Sequence, residues 1–161
     1  MVKIIFLDLD GVLILDNRDF DPYLVPNLER IIKYTGAKVV VSSARRQWPD
    51  HLKRIENMVK NCCNGEVIGC TTLKRMRRID QIRLWVEENK PDRWIALDDT
   101  NLDTTQDIPW LVQTDLWKGL TREDADKAID LLNGNYDIFY FPPKILDNEP
   151  HNRINDDSEQ E

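Results

Sequence analysis

Cysteine and histidine are scarce in this sequence, basic residues are outnumbered by acids, and long apolar runs are missing. The three cysteines, Cys62, Cys63 and Cys70, make no C-x-x-C pair and are too few for a disulfide framework. The two histidines, His51 and His151, stand far apart, so a Cys/His zinc site lacks its ligands. The thiols are therefore expected to be reduced and part-buried, packed as small hydrophobes. No stretch approaches the ~20 apolar residues that a transmembrane helix needs. The apolar start is broken by Asp8 and Asp10 before it reaches the length of a secretory signal core. The expected setting is cytoplasmic, with no membrane partner.

Lys and Arg number 22 against 29 Asp and Glu, a net charge of −7. That balance argues against broad, non-specific affinity for nucleic acid. The excess acid is uneven. Residues 142–161 hold six acidic and two basic residues, so the rest of the chain lies nearer neutrality and has room for local basic patches. Rich in Pro, Asn and acids, this tail reads as disordered and solvating. Residues 1–141 read as one globular domain.

Within that domain, short apolar runs alternate with amphipathic segments of helical length. Strands are expected at residues 4–9, 38–42, 66–69, 94–97 and 110–113. Helices are expected at 26–34, 50–61, 79–89 and from Thr121 to Gly134, the last capped by the Thr121 hydroxyl with Asp124 in its first turn. Alternation of this kind, with apolar β-branched strands, implies an α/β, three-layer Rossmann-like fold. Its central sheet is mostly parallel and is covered by helices on both faces. Ligands of such sheets bind beyond the carboxyl ends of the strands. Six polar residues leave those ends here: Asp8 and Asp10, Ser42 and Ser43, and Asp98 and Asp99.

Asp8-Leu9-Asp10-Gly11 puts two carboxylates on one side of an extended chain, with a glycine to turn it sharply. Carboxylates so placed repel each other unless a proton or cation intervenes, and Mg²⁺ favours such hard oxygen ligands. An aspartate can attack phosphorus to give an acyl-phosphate. A second can protonate the leaving oxygen and then deprotonate the incoming water. Arg45 and Arg46, shortly after the second strand, offer forked donors that suit a phosphate.

Residues 6–13, Phe-Leu-Asp-Leu-Asp-Gly-Val-Leu, resemble the first motif of the haloacid dehalogenase-like (HAD) phosphohydrolase superfamily. The resemblance implies that Asp8 is the nucleophile and Asp10 the general acid/base, whose backbone carbonyl also meets Mg²⁺. Residues 39–43 resemble the second motif, with Ser42 before Ser43 as the hydroxyl that binds the transferring phosphate. Residues 95–99 resemble the fourth, with Asp99 as the direct metal ligand and Asp98 supporting it. The third motif calls for a cation, and residues 74–78 supply four. Arg78 is preferred, since it opens the third helix, and Lys74 comes next. Asp103 is open to two readings, a supporting acid or a helix cap. Spacing between the motifs leaves no room for a substantial cap domain.

Capless members often act on large substrates. Residues 97–99 and the Arg after the second strand are similar to the phosphatase half of phage polynucleotide kinase/phosphatases. The whole pattern is similar to small phosphatase-like domains associated with RNA repair proteins. The expected activity is Mg²⁺-dependent hydrolysis of a phosphomonoester on a nucleic-acid 3′ end, a nucleotide or a phosphoprotein. The rival from another class is an interaction module that binds Mg²⁺ and phosphate without turnover. Of the five tryptophans, Trp85, Trp94 and Trp110 lie on core-patterned elements, whereas Trp48 and Trp117 are free to meet a substrate.

Overall fold

The computed structural model describes residues 1–134 apart from Asn17, Thr104, Gln106 and Asp107. The expected tail and the domain limit at residue 141 lie outside those residues. In chain order the elements are β1 (Lys3–Leu7), α1 (Val25–Thr35), β2 (Lys38–Val41), a short 3₁₀ turn (Ala44–Gln47), α2 (Pro49–Cys63) and β3 (Val67–Cys70). There follow α3 (Arg78–Asn89), β4 (Arg93–Asp98), β5 (Leu111–Gln113) and α4 (Arg122–Asn133). All five strands pair in parallel in the order β3-β2-β1-β4-β5. Strand order reverses at β1, and the first and fourth motifs leave β1 and its neighbour β4.

Local signals in the sequence account for the helix ends. Pro26 and Pro49 sit in the first turns of α1 and α2, where their missing N–H costs nothing. Gly36, in the left-handed region at φ 66°, closes α1 by donating to the Ile32 carbonyl. The Thr121–Asp124 capping box opens α4, as expected. β3 runs one residue later than the apolar pattern implies. Its pairing with β2 carries a register irregularity between Val39 and Val40.

Alternation along the strands divides the core in two. Ile5, Leu7, Val39, Val41, Ile95, Leu97 and Val112 pack beneath α1, α2 and α4. Ile4, Phe6, Val40, Trp94, Ala96 and Leu111 face Ile82 and Val86 of α3. Trp85 and Trp94 meet Phe6 edge-on at 5.5 and 5.8 Å, and Trp94 lies 4.1 Å from Trp110. These three tryptophans are packing residues, as their pattern implies. Asp8, one step beyond Leu7, continues the Phe6 row and so emerges on the α3 side, while Leu9 returns to the larger core.

Cys62 departs from expectation by being exposed; Cys63 is buried and Cys70 intermediate. The odd one out is explained by helix geometry, since adjacent residues on α2 point about 100° apart. Burial pushes the Cys63 thiol up to about 12, which suits an inert packed side chain. Among the described residues no helix is long and apolar enough to cross a membrane. Residues 11–77 fold into a loop, two helices, a 3₁₀ turn and two sheet strands, with no inserted domain among those described.

Candidate active site

Three strand ends and one helix start converge on Asp8. Asp8 is 4% exposed. An oxygen from each of Asp8, Asp98 and Asp99 can be chosen so that all three lie within 4.8 Å of one another. Burial pushes the Asp8 carboxyl up to about 7 against the pull of Arg78, and Asp98 and Asp99 push the same way. Asp99 is raised too, by burial first and then by Asp98. A cluster of acids held this close, with hard oxygen donors, fits a divalent cation.

Arg78, the first residue of α3, is the cation that reaches this cluster. Its Nη1 lies 2.7 Å from Asp98 Oδ2 and 3.2 Å from Asp8 Oδ2. Burial lowers the guanidinium's pKa, but Asp8 and Asp98 outweigh that and raise it. Lys74, the alternative, is exposed, and its backbone rather than its ammonium joins the loop, through Thr72 and Gln81. Asp98 is engaged on both oxygens: Oδ1 accepts from the N–H and hydroxyl of Thr100, and Oδ2 from Arg78. Asp99, half-buried, is the more open of the pair.

Asp10 points elsewhere. Arg45 grips both its oxygens, Nε to Oδ2 at 3.0 Å and Nη2 to Oδ1 at 2.7 Å, a two-bond fork. Asp10's carboxylate is thus outside the three-acid cluster. Ser42 and Ser43 are both buried, yet differ in use. The Ser43 hydroxyl accepts from the Arg45 N–H and caps the 3₁₀ turn, whereas the Ser42 hydroxyl has no protein partner.

Arg46 corrects an expectation. It is buried, and its guanidinium donates to the carbonyls of Thr71, Ser42, Ser43 and Thr72 at 3.1, 3.3, 2.9 and 2.7 Å. It ties the exits of β2 and β3 together and is not free to fork a phosphate. Asp103, read as a supporting acid or a helix cap, accepts from the N–H and hydroxyl of Thr105. Thr100, Thr114 and the carbonyl-tying role of Arg46 were not legible in the sequence. Thr100 had a signal, as a hydroxyl two residues after an Asp; the other two act across the fold.

The turn after β1 relies on Gly11 at φ 76°. A Cβ there would stand 2.7 Å from Asp99 Cγ and 2.8 Å from Asp99 Cβ, and the Thr114 hydroxyl holds the Gly11 carbonyl at 2.7 Å. Gly11→Ala is expected to cost about 2–3 kcal/mol from left-handed strain plus overlap. Thermal denaturation measures that cost, and metal affinity should fall with it because Asp99 must move.

The family model described as the HAD domain in Swiss Army Knife RNA repair proteins matches residues 4–125. That span takes in every residue of the site described above. No curated protein and no solved structure matches the chain.

Proposed function

Since the chain belongs to the HAD domains of Swiss Army Knife RNA repair proteins, we propose that it hydrolyses phosphomonoesters through an aspartyl-phosphate on Asp8. The observation that carries this reading is the buried Asp8 carboxylate, set between a three-acid cluster and the Arg78 guanidinium. Asp8 attacks phosphorus, the bond from phosphorus to the leaving oxygen breaks, and Asp10 gives that oxygen its proton. Asp10 then takes a proton from the water that attacks the acyl-phosphate, releasing phosphate and restoring Asp8.

Ser42, with its uncommitted hydroxyl, is the phosphate-binding serine. Ser43 orients the turn that carries Arg45, and Arg45 can exchange one carboxylate oxygen for a phosphate oxygen. Asp8 and Asp99 would hold Mg²⁺ directly, with the Asp10 backbone carbonyl, while Asp98 supports them. Mg²⁺ bound there supplies the positive charge that lets a phosphate dianion approach Asp8.

Trp48, Leu73, Met76, Leu116 and Trp117 are exposed. All follow the carboxyl ends of strands. Exposed Lys74, Arg75 and Lys118 lie on the same loops. Aromatic faces beside cations suit a single-stranded nucleic acid, so the substrate we propose is a terminal 3′-phosphate on an oligonucleotide.

Turnover of p-nitrophenyl phosphate, with Mg²⁺ and then with EDTA, tests the chemistry. Chelation is expected to remove at least 99% of the activity (about 10²-fold, the scale of losing one charge stabiliser). Undiminished turnover in EDTA would overturn the metal assignment. A folded, metal-binding protein with no turnover would favour the interaction module. For the substrate, kcat/KM on 3′-phosphorylated oligonucleotides should exceed that on mononucleotides; a phosphopeptide preferred over both would point to a phosphoprotein.

A further inference from the structure

Two hydroxyls stand side by side at the strand exits, buried and without protein partners. Ser42 and Thr71 are each 1% exposed, and neither Ser42 Oγ nor Thr71 Oγ1 has a hydrogen-bond partner. The sheet puts them in one row with the nucleophile. Leu7 pairs with Val41 and Val41 with Cys70, so the next residue on each strand is Asp8, Ser42 and Thr71. Their backbones repeat one bond: Asp8 N–H donates to the Leu97 carbonyl, Ser42 N–H to Leu7 and Thr71 N–H to Val41, each at 3.0 Å.

A buried hydroxyl without a partner is costly, and valine would fill the same volume without the cost. Arg46 makes the pair rigid, because one guanidinium holds the carbonyls of Ser42, Ser43, Thr71 and Thr72. With both backbones pinned, only side-chain rotation is left to the two hydroxyls.

We propose that Thr71 is a positioning residue: its hydroxyl donates to Ser42, on rotation of the side chain or through one water, so that Ser42 directs its single proton at the substrate phosphate. Serine has one proton and two lone pairs. If Ser42 gives its proton to a phosphate oxygen, a donor on its other side aligns and strengthens that bond. Thr71 is the neighbouring side chain with an uncommitted donor. This inference rests on the phosphate-binding role proposed for Ser42, and it extends the site from β2 to β3.

The test compares Thr71→Val and Thr71→Ser in the wild-type and Ser42→Ala backgrounds. Three quantities are read on the full chain with Mg²⁺: the Kd of tungstate as a phosphate mimic, kcat/KM for p-nitrophenyl phosphate, and the melting temperature. Thr71→Val is expected to weaken tungstate and lower kcat/KM by roughly five- to tenfold, the scale of one hydrogen bond between neutral groups. Its melting temperature should stay level or rise. Thr71→Ser, which keeps the hydroxyl, should recover most of the loss. In the Ser42→Ala background Thr71→Val should change neither readout by more than about twofold, since the path through Ser42 is gone.

Equal losses in both backgrounds, or unchanged tungstate affinity, would overturn the relay. So would a lower melting temperature that tracks the loss of activity. Should Thr71→Val not fold, Thr71→Ala takes its place in the same cycle. A wild type that binds tungstate without turnover would defeat the enzyme reading alone, and the affinities would still decide the relay. A wild type that does neither would overturn both.

Discussion

Asp8→Asn is expected to abolish turnover while raising the melting temperature of the metal-free protein at pH 8. Asparagine offers no anionic oxygen to attack phosphorus, so the fall in kcat should reach the assay floor, at least ~10⁴-fold. The gain in stability follows from linkage. Burial pushes the folded Asp8 carboxyl up from 3.8 to about 7, so between those values the folded state holds more protons than the unfolded one. Stability is therefore fully present below pH 3.8 and is lost as pH rises through 7.

Above that window the ionised carboxylate destabilises the fold. The difference of about three units corresponds to about 4 kcal/mol as an upper bound, at 1.36 kcal/mol per unit. Asparagine never ionises and escapes this loss. The expected shift is roughly 5–10 °C at pH 8, shrinking towards zero near pH 4. Saturating Mg²⁺ should reverse the order, because the wild-type carboxylate then gains a cation that the variant binds poorly. Thermal scans at pH 4, 6 and 8, with and without Mg²⁺, measure each part. A variant that loses both activity and stability at pH 8 would show that Asp8 is a structural carboxylate held mainly by Arg78.

Removing Arg78 should have the next largest effect. Its Nη1 is shared between Asp8 and Asp98, so truncation leaves two buried carboxylates without their cation. Breaking one partner out of a buried ionic group costs about 3–5 kcal/mol. Withdrawing a preorganised charge from the transferring phosphate costs about 10²–10³ in kcat. Arg78→Ala is expected to show both losses. Arg78→Lys should restore part of the stability but little of the rate, because an ammonium offers a point charge in place of the guanidinium's planar set of donors.

Lys74→Ala is the control, with an expected change of less than about threefold on p-nitrophenyl phosphate, since that side chain is exposed. Steady-state kinetics and thermal denaturation of the three variants decide which cation serves the third motif. A large loss in Lys74→Ala, with Arg78→Ala active, would reverse the assignment.

The sequence by itself determined the sheet. Apolar β-branched runs, helix-length periodicity, a helix stop at Gly36 and a helix start at Thr121 specify a parallel α/β fold, because each is a local preference that the packed structure satisfies. It also determined which acids gather, since Asp8, Asp98 and Asp99 each follow the apolar core of a strand, and parallel pairing brings the ends of such strands together. Tertiary structure decided what neighbours do to one another.

Four cations lie between residues 74 and 78, and only the one that opens α3 under the carboxyl edge meets Asp8. Arg45 and Arg46 are adjacent in the chain, yet one grips Asp10 and the other is consumed by four carbonyls. Two serines follow β2; one caps a turn and the other keeps its hydroxyl uncommitted. Residue type and order are one-dimensional, whereas the aim of a long side chain depends on which carbonyl or carboxylate the fold brings within about 3 Å of it. That is a property of register and packing across the sheet, and no local pattern encodes it.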